Sequence, residues 1–552
     1  MKYKSKVIDI FLGSLIVLSP IFWRYDFSKM SFASYDYLGT APFALYHLIL
    51  FHLLLALSIY IEKTIRLKHV LALCGFYLLP FLINYPFLMH RDVYLQGRYV
   101  RQFTTPGFNS QPSEATQWPL SFLEWAIFSL VVGLDPKLAN TPLFVVLMLI
   151  FPLVLYCFAK KIKRNFHGST LILSSSLLFF IFLMNNRTYM DMFARQYQAL
   201  MFFVLAIYLF YAYEKSRKIL ALNLLITTSI VMTHPFTASF LAIFCASYLL
   251  IRRKNSLRIP LNFTFLYLVI YAAWWVFQAY VSLPLAVETF SNIFNINVYK
   301  PIAESAYILE DIPAYGQFFR NCFKLTLAAM SALSAIALVM LYKKKQFKKF
   351  QLIFISLTVG ALSLAPLLVA SVLWIDRIIV FAALPVSFLA PLGAFIIIGN
   401  RKDSNLILKK VGSAVAISLL ALTLFTSGML VYERNFYDIM IPHNWNDDLC
   451  VFIDSYAPKN TWILGDWKSM IYLSYYDFNG KFIQLPIENK EQLFQRVLQS
   501  DLILETPREK YNLQPSKTLE ENMRLWNLFS SEYLFYYNRI YSNGYTSAYL
   551  KP

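Results

Sequence analysis

The residue best placed to do chemistry is Asp92, a carboxylate that closely follows a long apolar run. His90 and Arg91 precede it, so acidic and basic groups meet at the end of a predicted membrane helix. A carboxylate in that position loses hydration energy unless it contacts water, forms an ion pair or has a functional role. Asp92 is therefore our candidate catalytic base, and Arg91 a candidate substrate-binding residue. A salt bridge to Arg91 or Arg98 that only anchors the helix is an equally good interpretation of the residue taken alone.

A second carboxylate, Asp191, lies in a short loop between two predicted membrane helices. It could act as a second base, bind the acceptor or, together with Asp92, hold a divalent cation such as Mg²⁺ or Mn²⁺, which prefers oxygen ligands. Arg195 follows in the same loop as a further candidate for substrate binding. A salt bridge from Asp191 to Arg187 or Arg195 explains these residues without any ligand. No cofactor besides a metal is indicated, and the metal is left open.

Two more side chains are candidates for substrate binding, His234 and Arg377, each at the end of an apolar run. The Arg377 guanidinium is suited to gripping a phosphate through two parallel hydrogen bonds. His234 could bind a phosphate or a hydroxyl group. The alternatives are a structural histidine in the turn made by Pro235, and an ion pair of Asp376 with Arg377 that anchors a helix at the interface.

The composition identifies the solvent of this chain as a lipid bilayer. Of its 552 residues, 58% are hydrophobic and only 15% are charged, which a soluble globular protein could not present to water. The net charge of +19 is distributed in short basic clusters between apolar runs, as at 160–164, 252–258 and 343–349. A nucleic-acid-binding protein would carry its excess of positive charge on a continuous basic face. We therefore expect contacts with membrane lipids and none with nucleic acid.

Taking about twenty apolar residues per span predicts about thirteen transmembrane helices. They lie near 8–23, 44–61, 70–89, 141–158, 169–185, 197–213, 218–234, 236–251, 261–281, 323–341, 351–373, 378–399 and 411–431. With this number of spans, every basic cluster falls on one side, which the positive-inside rule identifies as cytoplasmic. The sequence thus predicts a multi-pass protein of the cell membrane with a cytoplasmic N-terminus.

The segment 119–134 is apolar enough to resemble a span, but counting it would place the basic cluster 160–164 outside. We therefore expect an amphipathic helix that lies in the outer interface, with Trp118 and Trp125 at headgroup depth and Glu124 facing water. It belongs to the first large outer loop, 90–140.

The chain is divided into a transmembrane domain, 1–432, and an extracytoplasmic C-terminal domain, 433–552. The second part loses the long apolar runs and gains strand-like stretches at 461–464, 502–505 and 538–541, turn signals at 479–480 and 543–544, and a helical pattern at 490–499. The fold class expected is an α-helical polytopic membrane protein with a small C-terminal α/β domain.

The order of features in the first outer loop resembles that of the GT-C superfamily of membrane glycosyltransferases. This group includes protein O-mannosyltransferases, aminoarabinose transferases of lipid A, and oligosaccharyltransferases. The residues that carry the resemblance are Asp92 just after a membrane helix, then Trp118-Pro119, then Gly133-Leu134-Asp135 before the next span. An outer C-terminal domain after many spans is also common in that superfamily. No second carboxylate adjoins Asp92, which departs from the paired acidic signature of the family.

The resemblance implies transfer of a sugar from a polyprenyl-phosphate-linked donor to a lipid, glycan or protein acceptor on the extracytoplasmic side, with inversion at the anomeric carbon. Asp92 would take the acceptor's proton, and Arg377 would hold the departing phosphate. Two alternatives stay open, a polytopic transporter and a noncatalytic assembly protein on the same scaffold. Transporters place their charged sites near the midplane of the membrane, whereas the polar residues here collect at predicted outer helix ends.

Overall fold

The structure of the protein is a computed structural model. The residues described are 2–29, 42–62, 66–84, 92–104, 114–163, 195–213, 216–251, 261–284, 287, 325, 328–340, 349–363, 381–382, 384–386, 388–390, 393, 443–457, 460–466, 481–485, 499–505, 538–542 and 547–550.

The described part of the chain is mostly helical. Its helices are α1 (Lys2–Lys29), α2 (Pro42–Glu62), α3 (Leu67–Asn84), α4 (Asp92–Thr104), α5 (Glu114–Gln117), α6 (Leu120–Val132), α7 (Pro136–Lys163), α8 (Arg195–Ala212), α9 (Arg217–Thr233), α10 (Pro235–Ile251), α11 (Leu261–Phe277), α12 (Lys349–Ser363) and α13 (His443–Tyr456). Residues 328–340 are helical as well. Helices cover the following predicted spans, apart from a few residues at their ends: 8–23, 44–61, 70–89, 141–158, 197–213, 218–234, 236–251 and 261–281. The predicted spans 169–185 and 411–431 lie outside the described residues.

Many of these helices expose large apolar side chains, as a bilayer requires. Leu250, Phe277 and Phe265 are each more than half exposed, although each belongs to an apolar helix. Within the described ranges, one helical stretch, Pro136–Phe158, is by itself long and apolar enough to cross a membrane, and several shorter apolar helices accompany it. Exposed apolar surface of this kind is suited to lipid rather than to water.

Helices α1, α2 and α3 are tied together by a charged network at one end. Lys68 Nζ on α3 donates to Asp9 Oδ2 on α1 at 2.6 Å and also pairs with Glu62 on α2. Glu62 in turn pairs with Arg66 Nε at 3.0 Å, and Ser58 Oγ lies 3.1 Å from His69 Nε2. The start of α1 and the α2–α3 connection therefore lie at the same end of the bundle.

Aromatic side chains pack the centre of the bundle around α8. Phe203 on α8 contacts Phe240 on α10, with their ring centroids 5.4 Å apart, and Phe381 lies edge-on to it at the same distance. Phe158 on α7 and Phe354 on α12 stack at 6.1 Å. Between helices in lipid, such contacts act through close van der Waals packing, and they join α7, α8, α10 and α12 in one core.

The C-terminal part contains a five-stranded sheet in the order β2-β1-β3-β5-β4. Its strands are β1 (Trp462–Asp466), β2 (Lys481–Leu485), β3 (Leu502–Glu505), β4 (Asn538–Ser542) and β5 (Ser547–Leu550). β1 pairs in parallel with β2 and β3, whereas β5 pairs antiparallel with β3 and β4. Strands β1, β3 and β4 overlap with the three stretches predicted as strands. The predicted turns at 479–480 and 543–544 lie outside the described residues, as does all but the last residue of the helical pattern at 490–499.

Candidate functional site

Asp92 is the first residue of α4, the helix that opens the outer loop. The positive end of a helix dipole favours an acidic residue there. Helix α4 packs against α6 and α7, and also contacts the short helix α5. The backbone therefore places the candidate base beside the other elements of the same loop.

Tyr94, two residues after Asp92, is buried in an apolar cluster shared with the C-terminal part of the chain. The other buried members of this cluster come from α13, β1, β3 and β5: Leu449, Cys450, Ile453, Ile463, Leu502, Leu504 and Ala548. In addition, Lys137 Nζ at the start of α7 lies 5.8 Å from the centroid of the Tyr94 ring. Tyr94 thus joins the outer loop to the sheet.

The segment Gly133-Leu134-Asp135 forms the joint between α6 and α7. Gly133 ends α6 in the left-handed conformation, with φ of 72°, and its N–H donates to the Ser129 carbonyl at 2.9 Å. Asp135 Oδ1 accepts from the backbone N–H of Lys137 at 3.0 Å, near the N-terminus of α7. Gly133 therefore caps the C-terminus of α6, and Asp135 caps the N-terminus of α7. Trp125 Nε1 completes the joint by donating to the Pro136 carbonyl at 2.6 Å.

Trp118 fastens the outer loop to the end of α11. Its ring is buried and meets that of Trp275 edge-on, at a centroid distance of 5.4 Å. Next to it, Trp274 Nε1 donates to the Gln117 carbonyl at 3.1 Å, and Ser282 Oγ donates to Gln117 Oε1. The prediction that Trp118 lies at headgroup depth is not tested by these contacts, but they show that it packs inside the protein.

Glu124 is half-buried and accepts a hydrogen bond from helix α8, so the prediction that this side chain simply faces water is wrong. Gln198 Nε2 on α8 donates to Glu124 Oε2, and Ser121 Oγ donates to Gln198 Oε1. Burial raises the pKa of the Glu124 carboxyl, while the hydrogen bond from Gln198 partly offsets that rise. The physical reason for the correction is that Gln198 offers a hydrogen-bond partner from within the bundle, which a pattern read from one helix does not reveal.

Helix α6 buries its two serines together with Phe122 and Trp125, and it exposes other apolar side chains. Ser121 and Ser129 are buried, whereas Ile127, Leu130 and Val131 are each more than half exposed. The prediction of an amphipathic helix with a polar face toward water is therefore wrong for α6. An outward apolar face is suited to contact with lipid.

Arg195, the first residue of α8, lies near the outer loop. Its Cζ atom is 5.9 Å from the centroid of the Phe122 ring on α6, a distance at which a guanidinium is attracted to an aromatic face. Gln198 and Arg195 lie about one turn apart on α8, so both face α6. The structure thus brings Arg195 to the start of α6, next to Phe122.

His234 lies between α9 and α10 and is buried. Its Nδ1 accepts from the backbone N–H of Thr237 at 3.3 Å and lies 3.0 Å from Thr237 Oγ1. With Pro235 at the first position of α10, this is the arrangement of a helix N-cap. These contacts agree with the alternative that His234 is a structural histidine in the turn made by Pro235. Binding of a substrate by His234 stays a prediction.

The remaining candidates, Arg91, Asp191 and Arg377, lie outside the described residues, as does the side chain of Asp92. Among the side chains that are described, no group of three or more His, Cys, Asp or Glu could hold a metal ion. A metal bound by Asp92 and Asp191 therefore stays a proposal, and no step below depends on it.

Sequence reasoning missed two contacts that organise this end of the molecule, the Gln198–Glu124 hydrogen bond and the burial of Tyr94 against the sheet. The Gln198–Glu124 hydrogen bond could have been suspected, because both residues lie inside apolar segments, where a polar side chain is costly without a hydrogen-bond partner. The burial of Tyr94 could not have been suspected, because its apolar partners in α13 and the sheet are more than 350 positions away in the sequence.

No family model matches the sequence, and no curated protein sequence matches it. Among solved structures, the chain is similar to the archaeal oligosaccharyltransferase AglB from Archaeoglobus fulgidus in complex with an inhibitory peptide and a dolichol-phosphate. The identity is 9%, the TM-score is 0.47, and the match covers 92% of this chain and 74% of that one.

The chain is also similar to ArnT from Cupriavidus metallidurans bound to undecaprenyl phosphate, with 11% identity and a TM-score of 0.45 over 88% of this chain and 98% of that one. ArnT in the apo state gives the same identity and TM-score. These proteins are membrane glycosyltransferases of the GT-C superfamily, which the outer loop of this chain resembles. At TM-scores below 0.5, the activity and substrates of this chain do not follow from the likeness.

Proposed function

We propose that this protein is a membrane glycosyltransferase that transfers a sugar from a polyprenyl-phosphate-linked donor to an acceptor on the extracytoplasmic side. The observation that carries the proposal is the packing of α4, which begins at Asp92, against α6 and α7. This packing brings the carboxylate's helix next to the Gly133-Leu134-Asp135 joint. The features that are separate in the sequence of the outer loop thus belong to one assembly.

In the proposed reaction, a hydroxyl oxygen of the acceptor forms a bond to the anomeric carbon while the bond from that carbon to the phosphate oxygen breaks. The Asp92 carboxylate takes the proton of the hydroxyl, and the polyprenyl phosphate leaves with the electron pair of the broken bond. Arg377 would stabilise the charge that grows on the phosphate. Attack from the face opposite the phosphate inverts the anomeric centre. A base in this role contributes roughly 100- to 10,000-fold to the rate.

The outward face of α6 supports a donor that stays in the lipid. Ile127, Leu130 and Val131 are exposed on the same helix whose other side packs against the start of α8. A polyprenyl chain could therefore remain in an apolar environment while its phosphate reaches the outer end of the bundle. A water-soluble nucleotide sugar would gain nothing from such a surface.

The test uses the full chain in nanodiscs with radiolabelled sugars on undecaprenyl phosphate and on dolichol phosphate. Asp92→Asn should reduce transfer by about 100-fold or more and leave binding of the unlabelled polyprenyl phosphate unchanged. Asp135→Asn is the matched control, because an asparagine oxygen can still accept from the Lys137 N–H and transfer should be nearly unchanged.

Equal transfer by wild type and Asp92→Asn would remove Asp92 from the mechanism. Binding of a polyprenyl phosphate without transfer from any donor would instead favour the noncatalytic alternative over the enzyme.

A further inference from the structure

We infer that Tyr94 is a positioning residue through which the C-terminal sheet and α13 hold the catalytic helix α4 in place. The catalytic part of this inference rests on the proposed function, which gives Asp92 its role. The docking of Tyr94, by which we mean its packing against α13 and the sheet, does not depend on that function. Tyr94 is 2% exposed, although it belongs to a short helix of an outer loop. Its burial comes from the apolar cluster that it shares with α13 and the sheet.

Because Tyr94 lies close to Asp92 on α4, the docking of Tyr94 can affect the position of Asp92. Asp92 and Tyr94 lie two residues apart in the first turn of the same helix. A helical turn is stiff, so a shift of the Tyr94 ring moves the backbone of Asp92 with it. Misplacing a reacting group by about 1 Å can cost about 100-fold in rate. The C-terminal part could thus influence catalysis without contacting the substrate.

Two sets of neighbours contact the Tyr94 ring. One is the cluster of Leu449, Cys450 and Ile453 on α13. The other is Lys137 at the start of α7, two residues after the Gly133-Leu134-Asp135 joint. A single cation over an aromatic ring near the surface is a weak contact, so the apolar cluster is the main partner of the ring. The ring therefore sits where the membrane part, the outer loop and the sheet meet.

A photo-crosslinking experiment tests the docking without any substrate. Tyr94→p-benzoylphenylalanine keeps an aromatic side chain and, after irradiation, should link α4 to peptides from 443–466 or 499–505. The matched control is Tyr99→p-benzoylphenylalanine on the same helix, because the Tyr99 ring contacts Phe122 at 5.5 Å and should link to α6. Adducts of position 94 confined to residues 1–363 would overturn the inference.

Hydrogen exchange then tests whether the contact stabilises α4. Ile453→Ala removes a buried side chain of the cluster and should raise amide exchange in the peptide 92–104 by about tenfold or more. Ile59→Ala, an equally buried truncation on α2 in the other core cluster, should leave that peptide unchanged. Equal exchange in wild type and Ile453→Ala would contradict the inference.

The catalytic consequence is measured by steady-state transfer from the radiolabelled donor. Tyr94→Ala should lower kcat at least tenfold with little change in the KM for the donor, and Tyr94→Phe should restore most of kcat because it keeps the ring. A rise in KM alone, or no rescue by Tyr94→Phe, would overturn the positioning role. If wild type shows no transfer at all, the proposed function fails, while the cross-links and the exchange still decide the docking.

Discussion

The side-chain amide of Gln198 on α8 donates a hydrogen bond to the carboxylate of Glu124 on α6. Because Ser121 donates to the carbonyl of the same glutamine, Gln198 satisfies two groups of α6 at once. An acidic residue on a helix with an outward apolar face is thereby kept inside the protein. These two hydrogen bonds hold one face of α6 against α8.

Glu124→Gln should change how stability depends on pH. Burial raises the pKa of Glu124 in the folded protein, so the folded state holds the proton more tightly than the unfolded state does. The contribution of Glu124 to stability is therefore largest at low pH and falls as pH rises through the raised pKa. The melting temperature of wild type minus that of Glu124→Gln should fall between pH 4 and pH 8, as followed by scanning fluorimetry in detergent. A difference that increases with pH would contradict the assignment.

Gln198→Ala should destabilise the protein more than Glu124→Gln does. It removes the donor to a half-buried carboxylate, and leaving such a group without its partner costs about 1–3 kcal/mol. Thermal unfolding of both variants at pH 7.5 measures the comparison. If Gln198→Ala is the milder change, the hydrogen bond does not hold α6 against α8.

Gly133→Ala tests whether the Gly133-Leu134-Asp135 motif is needed for backbone conformation. A Cβ added at Gly133 meets no atom within 4 Å, so the strain of φ at 72° is the main cost, about 1–2 kcal/mol. Gly13→Ala on α1 is the matched control, since it also meets nothing within 4 Å and has no positive φ. It should be neutral or stabilising by about 0.5–1 kcal/mol. Equal effects of the two substitutions would mean that the conformation of Gly133 is not needed.

Much of the membrane part could be predicted from the sequence because its signal is local. Long apolar runs and basic loops gave the positions of α1 to α3 and α7 to α11 to within a few residues. The orientation of α6 could not be predicted, because it depends on Gln198, which lies 74 positions away from Glu124. For the same reason, the burial of Tyr94 was invisible. Contacts between distant segments decide which face of a short helix is buried, and no pattern within that helix contains them.

Trp118→Ala should weaken the connection between the outer loop and the end of α11. The buried Trp118 ring packs on Trp275, and truncation of such a ring costs about 3–5 kcal/mol. Trp462→Ala, which removes a partly exposed tryptophan from β1, should cost much less. Limited proteolysis within 105–113 measures the effect on the loop. Equal cleavage of both variants would show that Trp118 does not secure it.

His69 should make the protein less stable in mild acid. Burial lowers the pKa of His69 to about 4, against its ordinary value of 6.5, and the residue lies one position before the predicted span that begins at Val70. The folded state therefore resists protonation of His69, and the stability linked to this residue is present above pH 6.5 and is lost as pH falls toward 4. His69→Gln should lose less stability than wild type across that window. A steeper loss in the variant, measured by thermal unfolding, would refute the prediction.

The ion pair of Asp9 with Lys68 has a consequence for biogenesis. The two residues are separated by 59 positions, so α1 enters the membrane long before its partner on α3 has been synthesised. Until then, Asp9 has to remain hydrated or bind a temporary partner such as a lipid headgroup or the insertion machinery. Helix α1 can thus complete its packing only when α3 has also been inserted.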